Sequence, residues 1–332
     1  MSRLPPLPQN VEVISEEVVT QAALADESVT LHKQHLRVDG RLAVVRKFTV
    51  AGPKVVLVHG FAQNRYSWHS TNRSLSTWLA ARGYDVYNLE LRGHGNSRAS
   101  QVPEHFHDYV DDAVVVANAL SEPAFWIGHS LGGGVSYAAA TKVPARGVIG
   151  LGALYQFAQA NRTLHWLCRA STLVRGRRFL GNVSVRTRLA GTLLSKLYGI
   201  SDIAGYAFPI SGWAPESIEP QILAERLERG FDWTSLHVWL DMANMGASGE
   251  FEYDEAWGRT DVPLLVIGGD LDHLMPPADA RTAYDRSGSS DKSWMLLDDW
   301  TTGLHWGHLD LIIGRHAPDT VWKPLHAWMN AR

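Results

Sequence analysis

Four short stretches of this chain are apolar at nearly every position: KVVLVHG (54–60), AFWIGH (124–129), GVIGLGAL (147–154) and VPLLVIGGD (262–270). A strand with one wet face alternates apolar and polar residues. A strand that does not alternate must be covered on both faces, which is the condition of a parallel sheet layered by helices. The segments between them supply the helices. RSLSTWLAARG (73–83), HDYVDDAVVVANAL (107–120) and LGGGVSYAAATKV (131–143) carry helical spacing, as do stretches near 277–286 and 315–330. YDVYNLEL (84–91) and SWMLLDD (293–299) read as further strands. The alternation predicts an α/β fold with a mostly parallel sheet and helices on both faces.

The ends of this pattern behave differently. After a proline-bearing tail at 1–10, VEVISEEVVT (11–20), SVTLHKQHLRV (28–38) and RLAVVRKFTV (41–50) read as antiparallel strands, the last two joined across Asp39-Gly40. Strand–helix alternation then stops near Tyr155, and residues 155–258 are mainly helical in pattern with no clear strand. The expected organisation is a first core part at 1–154, a helical cap insertion at 155–258 and a second core part at 259–332.

Bulk properties remove several function classes. The formal net charge of −3 gives no basic field for nucleic acid. One cysteine, Cys168, allows no intrachain disulfide. The first residues lack the apolar run of a secretory signal, and no stretch of about 18 apolar residues is present to span a bilayer. A cytoplasmic protein is the expectation. No metal-binding spacing such as HExxH or paired CxxC stands out, and LGGGVS lacks the ending of a phosphate loop. The expectation is therefore chemistry with no metal or organic cofactor.

One serine occupies the place where a buried strand hands over to a helix. Gly128-His129-Ser130-Leu131-Gly132 fits G-x-S-x-G, a sharp turn whose apex residue is strained and whose neighbours must be small. Such a turn lifts Ser130 Oγ above the carboxyl end of the sheet and aims the first helical N–H groups at whatever reacts there. A serine hydroxyl needs a base, and the base needs an orienting carboxylate. In sheets of this type both follow in the order Ser, acid, His. The loop after 262–268 offers Asp270 and Asp272; the loop after 293–299 offers His305 and His308.

With these residues in place the chain resembles the α/β-hydrolase superfamily over nearly its whole length, within it the serine esterases and lipases. The resemblance selects Asp272, through the acid loop G-x-x-D-x-x-x-P at 269–276, and His308, through the helix start in GHLDLIIG. It also implies that VHGFAQN carries an oxyanion turn, so that the backbone N–H groups of Phe61 and Leu131 form the oxyanion hole. His59 is expected to support that turn, and His129 to pack or to make a supporting hydrogen bond. His305 is expected beside Trp306 or in contact with water. Dehalogenases and epoxide hydrolases of this superfamily carry aspartate at position 130 and polyester synthases carry cysteine, so the serine disfavours those chemistries. LRGHGNSR (91–98) and GHLDLIIG are also similar to segments of acid lipases and polyester-synthase relatives.

The resemblance implies hydrolysis of a carboxylic ester through an acyl-enzyme. Acyl transfer, amide cleavage and C–C cleavage use the same triad, and a non-catalytic small-ligand-binding protein is the alternative of another class. The expected partner is a small hydrophobic ester or acyl substrate. Trp166, Tyr198, Tyr206, Phe208, Trp213, Phe231, Trp233 and Trp239 make the insertion dense in aromatics, most of them for the cap's own packing and two or three for a pocket roof. The same insertion holds an arginine-rich run without acids at 169–191, which suits either a solvated face or peripheral contact with an acidic membrane surface.

Overall fold

A computed structural model describes residues 10–98, 102–173, 184–186 and 212–332. Nine strands form one sheet: β1 (Val11–Leu24), β2 (Glu27–Val38), β3 (Leu42–Phe48), β4 (Lys54–Val58), β5 (Asp85–Glu90), β6 (Phe125–His129), β7 (Gly147–Leu151), β10 (Leu264–Gly269) and β11 (Lys292–Leu297). Their order is β1-β2-β3-β5-β4-β6-β7-β10-β11. From β5 to β11 every neighbouring pair is parallel, while β1, β2 and β3 join antiparallel, β3 against β5. Asp39 and Gly40 turn β2 into β3 with φ of 52° and 65°, and Arg41 N–H donates back to Val38 O at 3.1 Å. Two positive φ values in succession suit the right-handed twist of a tight hairpin.

The continuous apolar runs have the cause expected of them. In β4, Val56 and Val58 point into one core while Val55 and Leu57 point into the other. All five residues of that strand are buried. Helices α2 (Phe106–Ala119) and α3 (Leu131–Ala140) pack on the first face, through Tyr109, Val110, Val135 and Ala138. Helix α1 (Leu75–Ala81) covers the other through Leu75, Trp78 and Leu79, joined there by the C-terminal helix at Lys323–Asn330.

Between β7 and β10 the described chain contributes α4 (Arg162–Thr172), β8 (Ser184–Arg186), α5 (Pro220–Arg229), β9 (Trp233–Ser235) and α6 (Leu236–Ser248). One expectation needs correction here. The insertion does contain strands: β8 and β9 pair antiparallel in a separate two-stranded sheet. Each has three residues, too few to show alternation in a sequence. Apolar side chains of this region, among them Phe157, Leu164, Cys168 and Met242, belong to the same core cluster as β4 and α3. Of the aromatics expected here, Tyr198, Tyr206 and Phe208 lie outside the described residues, as does most of the arginine-rich run. No helix among the described residues is long and apolar enough to cross a membrane.

The strand order fixes where a ligand can sit. From β4 the chain moves to β5 on one side, then crosses to β6 on the other. The crevice at this switch point opens at the carboxyl ends of β4 and β6. Residues 59–63 follow β4 and Ser130 follows β6, so both flank that crevice.

Candidate active site

Ser130 has φ 56° and ψ −127°, outside the regions that L-residues favour. Such a conformation costs about 1–3 kcal/mol and persists only where its surroundings enforce it. Here three backbone hydrogen bonds do so: Ser130 N–H donates to Leu151 O (3.1 Å), and Ser130 O accepts from Gly133 N–H (2.9 Å) and Leu154 N–H (2.8 Å). The glycines on either side are required by space. A Cβ on Gly132 would fall inside contact distance of the Val58 and His59 carbonyl oxygens, and one on Gly128 would meet the backbone of Gly132. Because those neighbours are backbone atoms, they cannot swing aside. Gly132→Ala is expected to destabilise the fold by about 1–3 kcal/mol, read as a lowered thermal midpoint.

His308 and Asp272 are 2% exposed each, and His308 Nδ1 lies 2.7 Å from Asp272 Oδ2. The other carboxylate oxygen accepts from Leu274 N–H (3.0 Å) and Met275 N–H (2.7 Å). With Nδ1–H donating to the carboxylate, the neutral imidazole presents Nε2 as an acceptor. Gly152 makes room beside this pair: its φ is +47°, and a Cβ there would lie 2.8 Å from Asp272 Oδ2 and 3.0 Å from His308 Nδ1. Ser130 and His308 line the same cavity without a hydrogen bond between them, a spacing that commonly tightens only when substrate binds.

The rival residues form a second pair elsewhere. His305 Nδ1 lies 2.5 Å from Asp270 Oδ2, and Asp270 Oδ1 accepts from Trp306 N–H at 2.8 Å. His305 is exposed and Asp270 half-buried, and the Asp270 carboxylate raises the His305 pKa. Together with Asp299 the pair brings three potential metal-binding side chains within 4.8 Å of one another. His305 borders a surface groove that contains neither Ser130 nor His308.

Two other histidines serve as struts. His59 accepts from Leu91 N–H at Nε2 (3.2 Å), so its Nδ1 carries the proton donated to Gly60 O (2.9 Å). Burial holds its pKa well below the usual histidine value. His129 Nε2 lies 3.1 Å from His308 O, its ring 4.3 Å from the His308 ring, and burial keeps it neutral as well. The N–H groups of Phe61 and Leu131 donate to no acceptor among the described residues. Helix α3 begins at Leu131, so that N–H is left over by helix geometry.

Asp310 was not singled out by the sequence reading, although it lies inside the quoted GHLDLIIG. It is 1% exposed and accepts from Gly307 N–H (2.5 Å), Ala214 N–H (2.9 Å) and the Ser217 hydroxyl (2.8 Å). It thereby ties the loop before His308 to the chain returning from the insertion. Burial outweighs those three donors and pushes its pKa up to about 7. An aspartate two residues after a candidate base is the sequence signal that could have found it.

The cavity of about 300 Å³ above Ser130 is lined by apolar side chains, including Phe61, Leu154, Phe157, Met242, Leu274 and Met275. Three of the aromatics named above for residues 155–258, Trp213, Phe231 and Trp239, also line it. Trp166 is 71% exposed, and the Arg98 guanidinium stacks on Trp233. The oxyanion-loop candidate is stitched to residues 230–232: Asn64 N–H donates to Gly230 O (3.2 Å) and Asp232 N–H to Ala62 O (2.9 Å).

Comparison with known proteins gives matches of two kinds. The sequence model of the family described as serine aminopeptidase, S33, matches residues 51–198. Epoxide hydrolase B of Mycobacterium tuberculosis is 37% identical over 105 residues, 30% of this chain and 28% of that protein. A monoacylglycerol lipase of Mycolicibacterium smegmatis is 26% identical over 248 residues, 71% of this chain and 76% of the relative. The crystal structure of a Paleococcus ferrophilus monoacylglycerol lipase superposes with a TM-score of 0.61 at 18% identity, covering 88% of this chain and all of that one. Sequence likeness across the strand–turn–helix of Ser130 and fold likeness across most of the chain point the same way: the chain has the α/β-hydrolase fold.

Proposed function

We propose that the protein is a serine hydrolase that cleaves a carboxylic ester with a hydrophobic acyl part. Ser130 Oγ attacks the carbonyl carbon while His308 Nε2 takes the hydroxyl proton. Asp272 holds the imidazole tautomer and stabilises its cationic form. The developing oxyanion receives the N–H groups of Phe61 and Leu131, each worth about 3 kcal/mol of barrier. Collapse of the tetrahedral adduct breaks the bond to the alcohol, which leaves with the proton from His308. Water, deprotonated by His308, then attacks the acyl-enzyme and releases the acid. The reading uses no metal or organic cofactor.

The observation that carries the proposal is one apolar cavity whose wall holds both Ser130 and an acid-anchored His308. Residues 155–258 serve in this reading as a cap, with Trp213, Phe231 and Trp239 roofing the acyl site. The monoacylglycerol lipase relatives favour an ester substrate. The epoxide hydrolase match is partial, and serine at position 130 argues against that chemistry.

A p-nitrophenyl ester series of graded acyl length tests the reading, together with a fluorophosphonate label. Catalytic efficiency is expected to rise by at most about fourfold per added methylene, the equivalent of about 0.8 kcal/mol, until the cavity is filled, and then to level off or fall. A wild-type protein that no fluorophosphonate labels, yet that binds acyl ligands, would instead be a binding protein.

A further inference from the structure

Among the described residues, the cavity wall has three polar side chains apart from its tryptophans: Ser130, His308 and Gln63. The reaction proposed above uses the first two. Gln63 is only 6% exposed. Its Oε1 lies 3.0 Å from the Ser67 hydroxyl, which also lies 2.9 Å from Asn64 O. Its Nε2 donates to no group among the described residues, and the side chain lines the cavity. An amide anchored by its oxygen in an apolar wall leaves two N–H donors to whatever fills the space.

The anchor has a further part behind it. Arg226 Nη2 donates to Ser67 Oγ at 3.1 Å. Arg226 is 1% exposed, its guanidinium lies 5.8 Å from the centre of the Phe231 ring, and its Nε and Nη1 have no hydrogen-bond partner among the described residues. A buried cation with no counter-ion among the described residues is costly to desolvate, so its retention calls for a task. Its position behind Ser67 supplies one: it occupies a lone pair of the hydroxyl and so limits where the O–H can point. Gly60 locates the amide relative to the nucleophile. A Cβ on Gly60 would lie 3.1 Å from Gln63 Oε1 and 3.1 Å from Ser130 Cβ. The carboxamide and the nucleophile therefore flank one glycine, the residue before Phe61.

We propose that Gln63 contacts the substrate: its carboxamide N–H donates to the carbonyl oxygen of the ester at Ser130, as a third donor beside Phe61 and Leu131, with Ser67 and Arg226 as positioning residues. The inference rests on the serine-hydrolase reading. A donor aimed at that oxygen acts most strongly when the oxygen becomes an anion, so its loss appears in kcat and not in KM.

The test compares the wild type, Gln63→Leu, Gln63→Met and Ser67→Ala on p-nitrophenyl butyrate, with Ser130→Ala as the blank. Both Gln63 variants are expected to lose about 10- to 100-fold in kcat, with KM and thermal midpoint unchanged. Their affinity for a trifluoromethyl ketone, which forms the oxyanion in its adduct, is expected to fall by the same factor. Ser67→Ala, which keeps the amide but frees it, is expected to show a smaller loss of the same kind. An active wild type with Gln63 variants of normal kcat, or with unaltered ketone affinity, would overturn this inference alone. A wild type with neither turnover nor fluorophosphonate labelling would overturn the hydrolase reading and this inference with it.

Discussion

Ser130→Ala is expected to lower kcat on a p-nitrophenyl ester by about 10⁶-fold and to abolish fluorophosphonate labelling. KM is expected to stay near the wild-type value, because the substitution removes a hydroxyl and leaves the apolar wall intact. His308→Ala is expected to cost about as much, since a nucleophile and its base act as one unit. His305→Ala is the control. His305 lies on the surface against Asp270, so its removal is expected to change turnover by no more than about twofold. If His305→Ala abolished turnover while His308→Ala preserved it, the base would be misassigned. Rates measured on purified variants of equal thermal midpoint decide the matter.

Asp272→Asn is expected to reduce kcat by about 10⁴-fold while leaving the fold intact. The size follows from the hydrogen bonds around the carboxylate. One oxygen is claimed by the N–H groups of Leu274 and Met275. An amide at this position must turn its own oxygen to those two donors, which leaves its NH₂ facing His308 Nδ1. The imidazole then accepts at Nδ1 and carries its proton on Nε2, the nitrogen that should take the serine proton. The loss is therefore one of tautomer. Asp270→Asn is expected to weaken only the His305 pair and to leave kcat within about twofold of wild type. The reverse pattern of losses in the two variants would make Asp270 the acid.

The sequence carried much of this because burial writes itself into composition. Strands such as β4 and β6 are covered on both faces, and only an unbroken apolar run suits that position. The glycines around Ser130 were equally legible, since backbone approaches them too closely for any side chain. The order of strands in the sheet was not legible. Nothing local records that β4 lies between β5 and β6, yet this order creates the crevice. The three-residue strands β8 and β9 left no periodicity to read. Asp310 and Gln63 stood inside quoted motifs without a role, because their partners, Ala214 and Ser217 for one and Ser67 for the other, meet them only in the folded chain. Choosing His308 over His305 needed the family resemblance, since each histidine has an aspartate of its own.

The seam between residues 62–64 and 230–232 restricts how anything gets in. Asn64 and Ala62 hold Gly230 and Asp232 through backbone, and the Asn64 side chain adds bonds to Arg229 O (2.9 Å) and Asp232 Oδ2 (3.1 Å). Lifting the roof along this edge would break bonds worth about 1 kcal/mol each and would drag the Phe61 N–H away from Ser130. These bonds tie that edge of the cavity down. If the Phe61 N–H serves as proposed, an entrance opened elsewhere leaves its turn in register, whereas parting this seam would disarm the proposed site at the moment of admission.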